Sequence, residues 1–438
     1  MLANSPHTPS RSESGLNTTM PLSPRNLLKL KDEFALTAST GFALLVQFIF
    51  QSVVVRRVSS EDFGLISSLL AIQGMLNIPI AIWQLAQARR LSSFYGSSSE
   101  FRGFAVRQLW SIRYSALAGL VLYLLVGPLV KVYINETSWN LWLLVVLGCF
   151  YSVVESWGLA CFQSRQAFFW LGTVSVGAAV ARLVSILLLL PHLANVAAVL
   201  VAVLGGFLIP IVGIFLYFRY SRKKSEGPET KTLDLSLIPA SFATVFTIAW
   251  LNFDFMIARN RFDPIMAGEY AAVAVLCKAV FWFASPIGTV YLPRFVKALA
   301  VGARETLTIL RYATFLCLSV CVVALLVVWP ISDWLVAIFA GKSAQPQMAD
   351  WLRYTVFAKI PTVCVTPFLA YFVARDSKRI LAVLLTFLGL TFLYAQAFSS
   401  NVHSLLMITF AGGMAMLLFC ILAVRWVRDR KDLDFSWD

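Results

Sequence analysis

Two long apolar segments face each other across a short polar turn between Asn252 and Arg294. One ends near Ala258, the turn contains Asp263 and Pro264, and the other runs from Gly268 to about Leu292. About twenty apolar residues, rising 1.5 Å each in a helix, cross the hydrocarbon core of a bilayer, so the stretch reads as a membrane hairpin. Asp254 and Lys278 lie inside it, at depths where an unpaired charge costs roughly 3 kcal/mol or more. Such groups must face protein or water rather than lipid.

The same grammar occurs some two hundred residues earlier. From Gln51 to Arg90 the chain reads as an apolar helix, a polar turn Glu61-Asp62-Phe63-Gly64 and a second helix. Aligning Gly64 with Gly268 places Arg57 on Arg261 and leaves a proline late in each second helix, Pro79 and Pro286. A second echo links Phe162-Gln163-Ser164-Arg165 to Phe372-Val373-Ala374-Arg375. Two matches in the same order point to a parallel internal repeat.

Of the 438 residues, 59% are hydrophobic and 13% charged, which excludes an ordinary soluble domain. The apolar runs predict an all-α integral membrane protein of twelve transmembrane helices, at 34–55, 63–86, 115–129, 139–162, 168–190 and 193–218, then 236–258, 268–292, 313–340, 351–373, 380–398 and 404–424. They form two six-helix lobes: an N-lobe at 27–218 and a C-lobe at 236–427, joined by a charged cytoplasmic linker at 219–235. Residues 1–26 are expected to be a disordered cytoplasmic tail, with Met20 an alternative start, and 428–438 a second cytoplasmic tail. Basic residues crowd one set of loops, including Lys29, Arg89, Arg90, Arg165, Lys223, Arg375 and Arg428. The opposite set holds only Arg56, Arg57, Lys131, Arg259, Arg261 and Lys342, which puts both termini in the cytoplasm. The net charge of +14 thus has a use in orientation and in contact with membrane lipids, and no nucleic acid is invoked.

The turn in SSEDFGLISSLLAI, the segments NFDFMIA, AGEYAAVA and LPRF, and the connection ACFQSRQAFFWLG resemble the polysaccharide-export branch of the multidrug/oligosaccharidyl-lipid/polysaccharide (MOP) transporter superfamily, which includes the O-antigen flippases. The resemblance covers roughly residues 33–427. It implies a MATE-like fold whose lobes rock about a central cavity, and a flippase that moves a polyprenyl-diphosphate oligosaccharide across a bacterial inner membrane for surface polysaccharide synthesis. Glycan polymerases and glycosyltransferases of the same pathway would be its partners.

Polar residues inside the spans mark the expected cavity. Gln47 and Gln51 on the first helix, and Gln73, Asn77 and Gln84 on the second, recur at intervals that keep a helical stripe aligned. The eighth helix aligns Lys278 with Trp282, and Arg182 and Lys359 add further intramembrane cations. Cations at mid-membrane suit a phosphorylated cargo, whose charge loses its solvation there. Asp254 and Glu155 are the candidates for coupling transport to protons or sodium; Glu155 and Arg182 could also pair. Pro79, Pro286, Pro361 and Pro367 are candidate bend points.

No enzyme is expected. The seven cysteines lie in apolar segments and the three histidines are isolated, so neither a metal site nor a nucleophile–histidine pair is supported. Gly341-Lys342-Ser343 lacks the earlier glycine of a phosphate-binding loop, position 336 being Val336, and no cofactor is expected. Two rival functions remain: a cation-coupled exporter of small drugs, which would have a more acidic cavity, and a membrane glycosyltransferase or glycan ligase. The latter would need a catalytic site that turns as short as those holding Glu61, Asp62 and Asp263 cannot build.

Overall fold

The structure is a computed structural model and describes residues 24–92, 98–111, 113–135, 138–165, 167–220, 237–281 and 285–429. Most of the expected N-terminal tail, most of the linker, Trp282 and the last nine residues lie outside the described residues. Among those described the chain is helical throughout. Its order is α1 (Pro24–Arg57), α2 (Ser60–Leu76), α3 (Ile78–Ser92), α4 (Ser98–Ser111), α5 (Arg113–Tyr133), α6 (Trp139–Ser164), α7 (Phe168–Leu189) and α8 (Asn195–Tyr220). Then come α9 (Leu237–Arg261), α10 (Pro264–Phe281), α11 (Ser285–Val301), α12 (Ala303–Ala340), α13 (Pro346–Ala374), α14 (Lys378–Phe398) and α15 (Val402–Asp429).

Among the described residues nine helices are long and apolar enough to cross a membrane, and the bent pair α2–α3 makes a tenth. The two remaining expected spans correspond to α5, whose apolar part is shorter, and to α10 with α11, between which residues 282–284 lie outside the described residues. All twelve expected spans thus have a helical counterpart, ten of them long and apolar enough by themselves among the described residues. Helix α4 was not expected, and α12 starts ten residues before the predicted 313. In both places charges such as Arg102 and Arg304 interrupt the apolar run without interrupting the backbone hydrogen bonds that define a helix.

Both polar turns are built to start a helix. Ser59 Oγ accepts the Asp62 N–H at 3.1 Å, with Glu61 and Asp62 in the positive first turn of α2. Asp263 Oδ2 accepts the Ile265 N–H at 3.1 Å, and Pro264 opens α10, where its missing N–H has no helical partner to lose. The repeat carries through to the helix ends. Helices α6 and α13 end 210 positions apart, against 204 for Gly64 and Gly268, with Arg165 and Arg375 as their caps.

At Asn77 the second span bends by 43°. Pro79 has no N–H for the Met75 carbonyl four residues back, so the ladder opens there, and Tyr123 Oη of α5 donates to the adjacent Leu76 carbonyl at 2.5 Å. Pro361 and Pro367 lie within the continuous helix α13, and the side chain of Pro286 is outside the described residues.

In the first half α1 packs on α7, α7 on α8, and α6 on α3 and α8; in the second, α13 is central, packed by α10, α11, α12 and α15. The halves meet along one seam, chiefly α2 against α9 and α10, with α3 on α9 and α1 on α12.

Candidate functional site

Three helices bring charges to the second half's side of that seam. Asp254 of α9 is 1% exposed and its Oδ2 accepts from Lys359 Nζ of α13 at 2.8 Å and from Tyr270 Oη of α10 at 3.1 Å. Lys359 also sits 5.5 Å from the Phe253 ring centre and 5.8 Å from that of Trp250. A second lysine, Lys278 of α10, donates to Asn252 Oδ1 at 3.2 Å and lies 3.9 Å over the Phe255 ring. Asn252 reaches the seam itself: its Nδ2 stands 3.3 Å from where a Cβ on Gly74 of α2 would be.

Asp254 and Lys359 neutralise each other, and Lys278 has only an amide oxygen and a ring face as partners. Among the described residues Lys278 has no direct ion pair. Trp250 Nε1 is buried nearby with no acceptor. Two groups read from the sequence as independent, a coupling acid and a cargo-binding cation, are a sealed pair. Lys359, 7% exposed, is not free to meet a cargo.

The first half differs. Arg182 of α7 donates from Nη1 to Gln47 Oε1 of α1 at 3.4 Å and lies 5.3 Å from the Phe207 ring centre, while its Nε is buried with no partner. Glu155 of α6 is near enough for its charge to act on Arg182, but they form no direct ion pair among the described residues. The amide stripe is also engaged inside its own half. Gln73 is buried against Gly148 of α6, where a Cβ would not fit; Asn77 Nδ2 donates to Ser152 Oγ of α6 at 3.1 Å; Gln84 Nε2 donates to Gln163 Oε1 at 3.5 Å. Gln73 and Asn77, expected to line a gap between the halves, here face α6. Helical spacing shows that polar groups share a face, but in lipid such a face turns to whichever helix offers hydrogen bonds. Gln51 is half-buried on α1, and Trp282 lies outside the described residues.

What the sequence did not reveal is a reciprocal clasp where α1 and α9 end. Arg56, closing α1, donates to the Ile338 and Phe339 carbonyls in the last turn of α12, joined by Ser52 Oγ to Phe339 O at 3.1 Å. On the other side Asn260, 204 positions after Arg56, donates to the Tyr133 carbonyl at 2.6 Å, and Arg259 to that of Ile134 at 3.3 Å, at the end of α5. Each half thus caps the unpaired carbonyls of a helix in the other, where a cation also meets the negative end of the helix dipole. Gln396 of α14 ties the knot by accepting from Tyr133 Oη at 2.6 Å and donating to Asn260 Oδ1. At the centre the repeat-related glycines touch. A Cβ on Gly64 would lie 2.9 Å from Gly268 N, and one on Gly268 would fall inside the Ser60 carbonyl group. One turn deeper, Ser68 Oγ donates to the Phe255 carbonyl at 3.3 Å.

No protein-family model matches the chain, and no curated protein does. Solved structures do. A multidrug resistance MATE family transporter of the MOP superfamily, in an inward-facing conformation, superposes with a TM-score of 0.64 at 12% identity, over 90% of this chain and 96% of that one. The fold is that of the MOP superfamily. The lipid II flippase MurJ in an inward closed conformation also gives a TM-score of 0.64, at 13% identity over 89% of this chain and 87% of MurJ. An outward-facing MATE family transporter gives 0.54 at 13% identity, over 92% and 97%. In this chain Lys278 and the clasp lie along the same seam between the repeat halves.

Proposed function

We propose that the protein is a transporter that moves an amphiphile with an anionic headgroup, of the polyprenyl-diphosphate oligosaccharide class, from the inner to the outer leaflet of a bacterial cytoplasmic membrane. The observation that carries the reading is Lys278 at the seam, a lysine within the membrane-spanning part of the bundle that has no direct ion pair among the described residues. A buried cation without a carboxylate is costly unless an anion visits it, and a diphosphate crossing a low-dielectric slab needs such a partner. The halves part to admit the headgroup while the lipid tail stays in the bilayer. In this reading the clasp end faces outward and is closed, as the higher score against an inward-facing neighbour than against an outward-facing one supports.

Glu155 takes the ion-coupling role, because it is an intramembrane carboxylate with no ion pair among the described residues, whereas Asp254 is held by Lys359 and Tyr270. A drug exporter coupled through Asp254 is disfavoured by that pair. The test is leaflet-resolved transport of a fluorescent polyprenyl-diphosphate oligosaccharide in vesicles. Lys278→Gln is expected to lower transport at least tenfold and Lys278→Arg to retain part of it, with unchanged thermal stability in both. Equal transport by wild type and Lys278→Gln would remove the anionic cargo.

A further inference from the structure

Helix α4 lies between the ends of two span regions, α3 and α5, at the end of the bundle opposite the clasp. One face anchors it: Phe101 and Ala105 are buried, Trp157 Nε1 of α6 donates to the Ala105 carbonyl at 2.9 Å, and the Arg165 guanidinium sits 3.9 Å over the Phe101 ring. The other face is exposed and carries Arg102, Val106 and Trp110 at four-residue spacing, with Arg107 beside them; Trp110 is 62% exposed. Neither Arg102 nor Arg107 forms an ion pair among the described residues.

The second half shows the same combination independently. Helix α12 ends 207 positions after α5, and at 38 residues it is about 57 Å long at 1.5 Å per residue, well beyond a hydrocarbon core of about 30 Å. Its surplus at the end away from the clasp carries exposed Arg304 and Arg311 beside Tyr312, which is 66% exposed. Paired guanidinium groups next to an exposed amphipathic ring suit the headgroup layer, where the ring sits among glycerol esters and the cations meet phosphate. A soluble protein partner would leave this placement, at headgroup level in both halves, unexplained.

We propose that the exposed face of α4 is a binding surface for acidic phospholipid headgroups, with Arg102 and Arg107 holding phosphate and Val106 and Trp110 inserted in the interface. The start of α12 is its repeat-related counterpart. Occupation fixes α4 in the membrane plane next to the inward mouth of the first half, so the surface tunes how firmly that end is held. It does not depend on the identity of the cargo.

The test uses the full chain in nanodiscs of phosphatidylcholine with 20 mol% phosphatidylglycerol, with native mass spectrometry reading the lipids retained after mild release. Near an anionic surface each arginine contributes roughly a fivefold preference. Arg102→Gln/Arg107→Gln is therefore expected to lower the phosphatidylglycerol-to-phosphatidylcholine ratio at least fivefold, while Lys342→Gln at the clasp end leaves it unchanged. An equal ratio in wild type and double variant overturns the proposal, as does an equal drop with Lys342→Gln, which would mark unspecific attraction. Should the double variant misfold, a bimane label on Val106→Cys reads the surface directly. Bluer emission in phosphatidylglycerol-containing discs than in pure phosphatidylcholine supports the proposal, and identical spectra overturn it.

Discussion

Gly268→Ala is the sharpest probe of the clasp. Its Cβ would overlap the Ser60 carbonyl and stand 3.1 Å from Ser60 Cα, and neither is the tip of a flexible side chain. Backbone must therefore move, which means that α10 and the start of α2 separate. Over-packing of this kind costs about 1–3 kcal/mol while the halves stay closed, and nothing once they part at this end. The strain acts only on the closed state, so the closed-to-open ratio falls roughly 5- to 150-fold. Gly64→Ala brings its Cβ to 2.9 Å of Gly268 N, a milder clash, and Gly389→Ala meets nothing within 4 Å. The readout is the labelling rate of Ser68→Cys by a small membrane-impermeant thiol reagent. Ser68 is 1% exposed and bonded across the seam, and the wild type, whose seven cysteines are all buried, serves as blank. The expected order of rates is Gly268→Ala above Gly64→Ala, with Gly389→Ala equal to the parent. Unchanged labelling in a well-expressed Gly268→Ala protein, or a larger effect from Gly64→Ala, refutes the reasoning.

Asp254→Asn strands the buried Lys359 ammonium, so thermal unfolding in detergent should show a loss of about 3–5 kcal/mol, and Asp254→Leu/Lys359→Met should recover most of it. A double variant no more stable than the single one would show that the pair is not the reason. Asn260→Ala removes the bonds to Tyr133 and Gln396 and should raise Ser68→Cys labelling several-fold. Arg353→Gln breaks pairs with the exposed Asp333 and Asp350 and an exposed bond to the Trp329 carbonyl, all away from the clasp, so it should leave labelling alone and move stability by no more than ~1 kcal/mol. A response to Arg353→Gln as large as that to Asn260→Ala would place the control of opening elsewhere.

Much of the seam was legible as correspondence before it was legible as contact. Matching Gly64 to Gly268 and Arg57 to Arg261 relied on turn chemistry alone, yet the two glycines meet, and the positions just before those arginines, Arg56 and Asn260, cap helices of the opposite half. Glycine was the readable signal, because only a residue without a Cβ permits that approach of backbones. The acceptors were invisible, being backbone carbonyls at helix ends that any residue supplies. The kink near Pro79 could be read from its missing N–H, but the bond from Tyr123 to the neighbouring Leu76 carbonyl could not.

By itself the sequence determined that this chain lives in a bilayer, that it is helical, and that its two halves repeat. Those properties follow from the lengths of apolar runs and the local chemistry of turns, which act within a few residues. Only the tertiary structure decided that Asp254 belongs to Lys359, 105 residues away, and that Lys278 is the cation left over. Helical periodicity says which side of a helix a charge occupies, but the rotation and depth of the neighbouring helices choose its partner. Those are set by packing summed over the whole bundle.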